Sequence, residues 1–378
     1  MAEPLKNSFG PDIPVKIATM IKAVYKQFDS KAFVVDALAV YDELELMQRG
    51  KVIAQAMHSH LPSSYIKAIQ ILTQSLPPIN DSLNGAGQVN EDNGSMAQFI
   101  YMPHAFYVVL YGMEYFEQSM QAQYEITQRF TAEFSIRGFI ERYPQQTLKQ
   151  LKQWAVDPSM HVRRLVSEGT RPRLPWAQRL PEFQKNPEPV LHLLEMLKDD
   201  PELYVRRSVA NNLNDIAKDN PKLVIKTLKR WSLSATAERE WLIRHALRTL
   251  VKAGNKEALA ILGFSQATDI KINKVTLTPK TIRMGDVLTV AFDLKNESSK
   301  KQKLLVDMCL HFVKANGETK PKVFKLKSFE LASSEKIEIS KKISFKAMTT
   351  RKHYVGQHHI ELIINGTFYS VCQFDLIK

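Results

Sequence analysis

Two hydrophobic patterns divide the chain. From Ile13 to Phe264, apolar residues return every three or four positions, as in the stretch from Ile17 to Phe28. This is the spacing of a helix that buries one face. From Ser265 onward, apolar and polar residues alternate in short runs such as DVLTVAFDLKN and HHIELIING, which is typical of strands. The pattern therefore predicts a multidomain fold, with an all-α region followed by an all-β region.

Three segments of the helical region resemble one another and begin at Asp157, Asp200 and Arg239. Their equivalent apolar positions are 43 and 38 residues apart, a period typical of two-helix HEAT repeats. The Asp-Pro pair that opens the first two segments predicts an N-cap followed by proline in the first helical turn. We therefore expect a HEAT-like repeat solenoid over residues 1–265, interrupted by an Asn- and Gly-rich flexible loop at 80–95.

The β region contains six or seven short strands within residues 269–378, which predicts an immunoglobulin-like sandwich. Cys309 and Cys372 lie on strands that we expect to be neighbours, and both are interpreted as small buried hydrophobes. His358 and His359 should lie on opposite faces of one strand. Two cysteines exclude a disulfide scaffold and a four-cysteine zinc site, so no metal or cofactor is predicted.

Charge adds a preference for polyanionic partners. The 378 residues carry a net charge of +13, and residues 269–378 hold 20 of the 52 basic and 11 of the 39 acidic side chains. Nine of the excess positive charges therefore belong to the predicted sandwich. Nucleic acid is the leading partner, and a lysine-rich surface that only aids solubility is the alternative.

Several classes of protein are excluded by what the sequence lacks. No apolar stretch is long enough to span a bilayer, and no secretory signal is evident at the start, so we expect a cytoplasmic protein. The chain has no Gly-rich phosphate loop and no HExxH, CxxC or GxSxG motif. Nucleotide hydrolysis, zinc proteolysis and serine hydrolysis therefore have no local support.

Three acidic residues stand near the repeat arginines, where negative charge would oppose phosphate binding. Glu168 lies at a helix C-terminus before Gly169, a predicted C′ cap, and there its charge opposes the helix dipole. The alternative to a functional role for Glu168 is a simple ion pair with Arg164, four residues earlier. For Glu133 the corresponding alternative is an ion pair with Arg137. Asp215 shares a polar helix edge with Ser208 and Asn212. Trp176, in a proline-rich turn, is either a stacking platform or a packing residue.

Specific blocks of the sequence resemble one family. The stretches RFTAEFSIRGFIERYP, HVRRLVSEGTRPRLPWAQRL and LLEMLKDDPELYVRRSVANNLNDIAKDNP, with the opening MAEPLKN, closely resemble alkylpurine DNA glycosylases of the AlkC type. These are HEAT-like repeat enzymes related to the AlkD glycosylases, and some carry an immunoglobulin-like domain. Residues carried over by motif as the lesion site are Glu133, Glu168, Asp215 and Trp176.

The resemblance implies a monofunctional glycosylase that needs no metal or cofactor. It would act as a monomer on double-stranded DNA that contains cationic alkylated bases, and it would leave an abasic site. The bases would be 3-methyladenine, 3-methylcytosine or 7-methylguanine, removed without base flipping by a bacterial, nucleoid-associated protein. Phosphate contacts are expected at Arg171, Arg173, Arg206 and Arg244. The competing hypothesis is a non-catalytic repeat scaffold that binds DNA or acidic proteins.

Overall fold

The computed structural model describes residues 5–79, 97–265, 267, 269–347 and 352–378. The predicted loop at 80–95 lies outside the described residues. The chain forms two compact units. The first, called the helical unit, comprises the described residues up to Val224 together with Ala235–Ala246. The second, called the mixed unit, comprises Ile225–Ser234 and the described residues from Leu247 to Lys378.

Helices follow one another up to Ile261, and the predicted all-α character of this region is confirmed. The α-helices are α1 (Asp12–Val24), α2 (Ser30–Leu38), α3 (Leu46–His60), α4 (Tyr65–Gln74), α5 (Met102–Tyr111), α6 (Phe116–Thr127), α7 (Ser135–Arg142), α8 (Pro144–Trp154), α9 (Met160–Gly169), α10 (Pro181–Lys185), α11 (Glu188–Leu197), α12 (Leu203–Ile216), α13 (Pro221–Trp231), α14 (Ala237–Ala246), α15 (Arg248–Lys252) and α16 (Lys256–Ile261). Short 3₁₀ segments occupy Leu5–Ser8, Tyr41–Glu43 and Ala97–Tyr101. No helix in the described ranges is long and apolar enough to cross a membrane.

The repeat helices α9 and α12 begin later than the sequence predicted. Asp157 and Asp200 are not N-caps, because the capping positions are Ser159 and Glu202. Each aspartate instead accepts a hydrogen bond from the amide two residues ahead, at 2.8 Å in the first repeat and 2.9 Å in the second. The Asp-Pro pair therefore forms a turn before the helix, as aspartate side chains commonly do.

The first two repeat segments each contain a Val-Arg-Arg sequence, called the VRR motif, at residues 162–164 and 205–207. The first arginine of each VRR motif stabilises this turn. Arg163 Nη1 donates to the Asp157 carbonyl at 2.8 Å, and Arg206 Nη1 donates to the Asp200 carbonyl at 2.6 Å. Arg163 Nε also reaches the Asp200 carboxylate at 2.6 Å. Arg163 thus ties consecutive repeats together, as expected of a structural repeat arginine.

Gly169 allows α7 and α9 to approach closely. A β-carbon at Gly169 would lie 2.6 Å from Ile136 Cγ2, nearer than two carbons can pack. The predicted C′ cap at this residue is wrong, because α9 includes Gly169 and its C-cap is Thr170, with a φ of −92°. The glycine is therefore required for helix packing rather than for a left-handed turn.

The strands form two sheets, and the predicted immunoglobulin-like fold is confirmed. One sheet has the order β1-β3-β6 and the other β2-β8-β7-β4-β5. The strands are β1 (Ile270–Thr278), β2 (Ile282–Arg283), β3 (Val287–Asn296), β4 (Gln302–Val313), β5 (Thr319–Leu331), β6 (Lys336–Ser344), β7 (Gly356–Ile364) and β8 (Thr367–Ile377).

The two cysteines are free thiols, but they do not lie on neighbouring strands as predicted. Strand β7 lies between β4, which carries Cys309, and β8, which carries Cys372. The histidine prediction is confirmed: His358 stacks on Phe374 in the core, whereas His359 is on the other face of the sheet beside His311.

Helices α15 and α16 pack with the strands inside the mixed unit. Leu259 and Phe264 form a small apolar cluster with Leu305 of β4. Asn365, in the turn between β7 and β8, donates to the Ser265 carbonyl at 2.7 Å. The mixed unit therefore includes helical chain that precedes residue 269, the predicted start of the second domain.

Candidate active site

An open cleft of about 320 Å³ lies on the helical unit. It contains three of the four predicted catalytic residues, namely Glu133, Glu168 and Trp176. Glu133 precedes α7, Glu168 is near the end of α9, and Trp176 belongs to the loop that follows α9. Its other lining includes Phe99, Phe130, Arg164 and Tyr204. The fold thus brings residues from distant parts of the sequence to one surface.

One carboxylate oxygen of Glu133 accepts no hydrogen bond from the residues that the structure describes. Its Oε2 accepts from Thr131 Oγ1 at 2.9 Å and from Arg164 Nη1 at 2.7 Å, whereas Oε1 accepts no hydrogen bond from the described residues. The alternative pair with Arg137 is wrong, because the buried Arg137 donates to the Gly169 and Arg171 carbonyls. Glu133 is therefore positioned through one oxygen and open at the other.

Glu168 is the most constrained carboxylate in the cleft and is only 6% exposed. Its Oε1 accepts from Arg171 Nη1 at 2.6 Å and lies 3.6 Å from Arg164 Nη2. Its Oε2 accepts from Ser208 Oγ at 2.6 Å. Burial opposes ionisation, but Arg164, Arg171 and the Ser208 hydroxyl outweigh it and lower the pKa of Glu168 below its ordinary value. Glu168 is therefore a carboxylate at neutral pH.

Asp215 lies behind the cleft rather than in it. The residue is 2% exposed, and Oδ2 accepts from Arg171 Nε at 2.8 Å while Oδ1 accepts from Lys218 at 2.9 Å. The polar edge predicted for α12 faces α9, since Asn212 donates to the Ser167 carbonyl at 2.7 Å. Asp215 thus holds Arg171, which in turn holds Glu168.

Trp176 is 62% exposed at the rim of the cleft. Its φ is +63°, in the left-handed region, which costs a residue with a β-carbon about 1–2 kcal/mol. An exposed indole in a strained turn contributes little to folding, which favours the stacking hypothesis over the packing one. Such strain is common where a side chain is held for a ligand.

Arg164 was not among the predicted site residues, although it joins the two cleft carboxylates. Its guanidinium lies over the Tyr204 ring at 5.2 Å from the centroid, a cation–π arrangement. Burial raises the pKa of Tyr204, with Arg164 opposing the shift, so this phenol is neutral at physiological pH. In the sequence, Arg164 was considered only as a repeat arginine and as an ion-pair partner of Glu168, and its contact with Glu133 was not predicted.

The four arginines predicted to bind phosphate lie in different environments. Arg171 is buried between Glu168 and Asp215, and Arg206 binds turn carbonyls. Arg173 Nε pairs with Asp219 at 2.8 Å near the protein surface. Arg244 is exposed and makes no hydrogen bond with the described residues. Arg244 is thus the most exposed of the four, whereas Arg173 and Arg206 are half-buried and Arg171 is buried.

Comparisons with known proteins identify the family of the chain. Residues 125–250 match a family described as DNA alkylation repair enzyme, and residues 271–378 match the C-terminal Ig-like domain of the uncharacterised protein YhaZ. YhaZ of Bacillus subtilis (strain 168) is 36% identical over 96% of both chains. The solved alkylpurine DNA glycosylase AlkC of Pseudomonas fluorescens, bound to DNA containing an abasic site analog, is 37% identical over 99% of both chains, with a TM-score of 0.90. The chain therefore belongs to the AlkC family of alkylpurine DNA glycosylases.

Proposed function

We propose that the protein hydrolyses the N-glycosidic bond of cationic alkylated bases in duplex DNA and leaves an abasic site. The observation that carries this proposal is the open carboxylate oxygen of Glu133 in a cleft that also holds the ionised Glu168. Family membership supports the glycosylase over the non-catalytic scaffold.

The substrate's own charge explains why carboxylates suffice. A base alkylated at N3 or N7 of a purine, or at N3 of cytosine, is a cation and leaves the sugar as a neutral molecule. No general acid is needed, and the developing positive charge on the sugar is stabilised by nearby carboxylates, as in glycoside hydrolysis. An undamaged base would still need a proton, so the same cleft discriminates against it.

The geometry favours distinct roles for the acidic residues. Glu133 Oε1 is free to hold the attacking water or to face the sugar cation. Glu168, with both oxygens engaged by protein donors, supplies fixed negative charge rather than accepting a proton. Asp215 is a positioning residue, because it reaches the cleft only through Arg171. Within the described residues no lysine lines the cleft, which favours hydrolysis without lyase chemistry.

Trp176 is proposed to contact the damaged nucleotide. Its exposed π face at the cleft rim suits a cationic base or the deoxyribose, an interaction worth about 0.5–2 kcal/mol. The cleft is open rather than enclosed, which favours a base that stays in the helix over one extruded into a pocket. Arg173 and Arg244 are proposed phosphate contacts, together with lysines of the basic sandwich.

We further propose that 3-methyladenine and 3-methylcytosine are the main substrates, with 7-methylguanine also removed. The protein would act as a monomer, since the cleft is formed by residues of one chain. DNA as substrate implies a cytoplasmic location at the bacterial nucleoid. Sedimentation of the protein alone and with a duplex tests the monomer.

Base release from duplexes with each methylated base tests the reaction, without added metal. Glu133→Gln is expected to slow single-turnover release about 100- to 1,000-fold, the usual cost of losing one group that stabilises transition-state charge. DNA affinity should be unchanged. Glu182→Gln is the matched control, because this exposed glutamate pairs with Lys185 alone in the described part of the chain and is not among the residues that line the cleft. Equal rates for wild type and Glu133→Gln would contradict the proposed role.

Fluorescence tests whether the base stays in the helix. A 2-aminopurine placed beside the lesion brightens when its neighbour is extruded. We expect little change on binding of Glu133→Gln, whereas strong brightening would show that the base is flipped.

A further inference from the structure

A cluster of potential metal ligands lies on the five-stranded sheet of the mixed unit. Strands β4 and β7 pair antiparallel, with Cys309 opposite Glu361 and His311 opposite His359. On each strand the two residues are separated by one position, as CLH and HIE, so all four share a face. The intervening Leu310 and Ile360 are buried in the sandwich core on the other face.

The ligand atoms are close together. Cys309 Sγ lies 3.6 Å from His311 Nε2, and His311 Nε2 lies 2.7 Å from Glu361 Oε2. One ligand atom from each of these three residues falls within 4.8 Å of the others. His359 Nε2 is 3.9 Å from Glu361 Oε1. Cys309, His311 and Glu361 are thus compact enough to surround a single ion after small side-chain adjustments, whereas His359, which lies outside this group of three, must turn toward them to join it.

The cluster is also accessible from one side. Cys309 is 2% exposed and forms its base, while the side chains of His311 and Glu361 are each 23% exposed. His359 is 27% exposed by side chain, yet its Nδ1 is buried and has no hydrogen-bond partner among the described residues. An ion entering from solvent would therefore meet the histidines and the glutamate before the thiol.

The donor set suits zinc. Thiolate, imidazole and carboxylate are its usual protein ligands, whereas Ca²⁺ and Mg²⁺ take oxygen alone. Tetrahedral zinc with ordinary bond lengths would separate a thiolate sulfur from an imidazole nitrogen by about 3.6 Å. The distance between Cys309 Sγ and His311 Nε2 already has this value.

A simple ion pair explains only part of the cluster. A charged His311 beside Glu361 would account for their 2.7 Å contact. It would not require a thiol against the same imidazole nitrogen or a second histidine next to the same carboxylate. We propose that Cys309, His311 and Glu361, with His359 as the fourth ligand, bind one Zn²⁺ that links β4 to β7. The thiol proton passes to solvent when the ion binds.

Cobalt titration of the full-length protein, reduced and freed of metal with a chelator, tests this site. One equivalent of Co²⁺ should produce a near-ultraviolet thiolate-to-cobalt band and intense visible bands of tetrahedral coordination, and Zn²⁺ should displace both. Cys309→Ser should lose the thiolate band. Cys372→Ser is the matched control and should keep it, because that thiol packs against the core from β8. A wild-type protein without the thiolate band would overturn the proposal.

Thermal unfolding gives a second readout that does not depend on glycosylase activity. Zinc should raise the melting temperature of wild type and Cys372→Ser, since an ion that binds only the native state stabilises it. If Cys309→Ser does not fold, Glu361→Gln keeps the test decisive. That variant should keep the thiolate band and bind cobalt on the order of 100-fold more weakly. Equal cobalt affinity for Glu361→Gln and wild type would exclude Glu361 as a ligand.

Discussion

The two VRR motifs of the helical unit have the same sequence, but their arginines make different contacts. Arg163 and Arg206 both bind the carbonyl of the Asp-Pro turn that precedes their helix. The next arginines differ. Arg164 lies between Glu133 and Glu168, whereas Arg207 is exposed and makes no hydrogen bond or ion pair with the described residues.

This difference separates a repeat's structural residues from those that form a site. In both motifs the first arginine binds the turn of its own repeat, and Arg163 alone of the two also reaches the aspartate of the next repeat. The second arginine points away from that turn, and its surroundings depend on what the neighbouring segment offers. In the first repeat the loop before α7 offers Glu133, and α12 offers Tyr204. A site can therefore be built at one repeat without altering the repeat itself.

The largest difference in unfolding free energy is expected between the variants Arg164→Met and Arg207→Met. Loss of Arg164 leaves the carboxylate of Glu133 without its cation and weakens the hold on Glu168, which should cost about 3–5 kcal/mol of unfolding free energy. Loss of the exposed Arg207 should cost no more than about 0.5 kcal/mol. Urea unfolding of both variants measures the difference. Similar costs for the two would show that the motif acts alike in both repeats.

A smaller difference in unfolding free energy is expected between variants of Arg163 and Arg206, the first arginines of the two VRR motifs. Arg163→Met removes both its turn contacts and its pair with the buried Asp200 carboxylate, so we expect a loss of about 2–3 kcal/mol. Arg206→Met removes only bonds to carbonyls and should cost about 1–2 kcal/mol. The same urea experiment applies, and a larger cost at Arg206 would contradict the tie between repeats.

Acid should reduce the contribution of Glu168 to the stability of the folded state. Because its pKa is lowered on folding from the usual 4.5, ionised Glu168 stabilises the folded state above that pH. The contribution is lost as the pH falls through the folded pKa. The difference in unfolding free energy between wild type and Glu168→Gln should therefore shrink as the pH falls below 4.5. A difference that is constant with pH would show that the pair with Arg171 does not depend on charge.

The smallest stability effect is expected at Arg244, where the effect on DNA should be visible. Arg244→Ala should change unfolding free energy by less than about 0.5 kcal/mol. If the residue contacts phosphate, the slope of log K against log salt for duplex binding becomes shallower by about 0.9. Arg207→Ala is the paired comparison on the preceding repeat. An unchanged slope for Arg244→Ala would remove this residue from the DNA interface.

Much of the fold follows from local pattern. The 3.6-residue and two-residue periods predict where helices give way to strands, because each records which face of an element is buried. The exact helix starts were missed at Asp157 and Asp200, since an aspartate before proline favours a preceding turn as well as a cap. Strand order was missed because alternation does not specify which strands pair, and β7 separates β4 from β8.

The sequence named most of the candidate site residues but did not predict the contacts between them. The helix dipole and helical spacing drew attention to Glu168 and Asp215. The resemblance assigned both to the lesion site, together with Glu133 and Trp176. The hydrogen-bond partners of these residues lie on other helices, as when Ser208 donates to Glu168. The periodicity of one helix gives no information about such partners. The cluster around Cys309 was missed for the same reason, although the CLH and HIE spacing was visible.

The close contact between Gly254 and Gly366 indicates which segment of the chain could be transferred between genes as a folded domain. A β-carbon on either glycine would lie 2.8 or 2.6 Å from the other's carbonyl oxygen, so the turn after α15 and the turn before β8 must meet as bare backbone. The Ig-like match begins at residue 271, yet Leu305 relies on Leu259 and Phe264 for cover. A recombination event that copied only residues 271–378 into another gene would deliver a sandwich with an uncovered apolar patch. The portable segment in evolution is therefore expected to start within the helical chain, near Leu247.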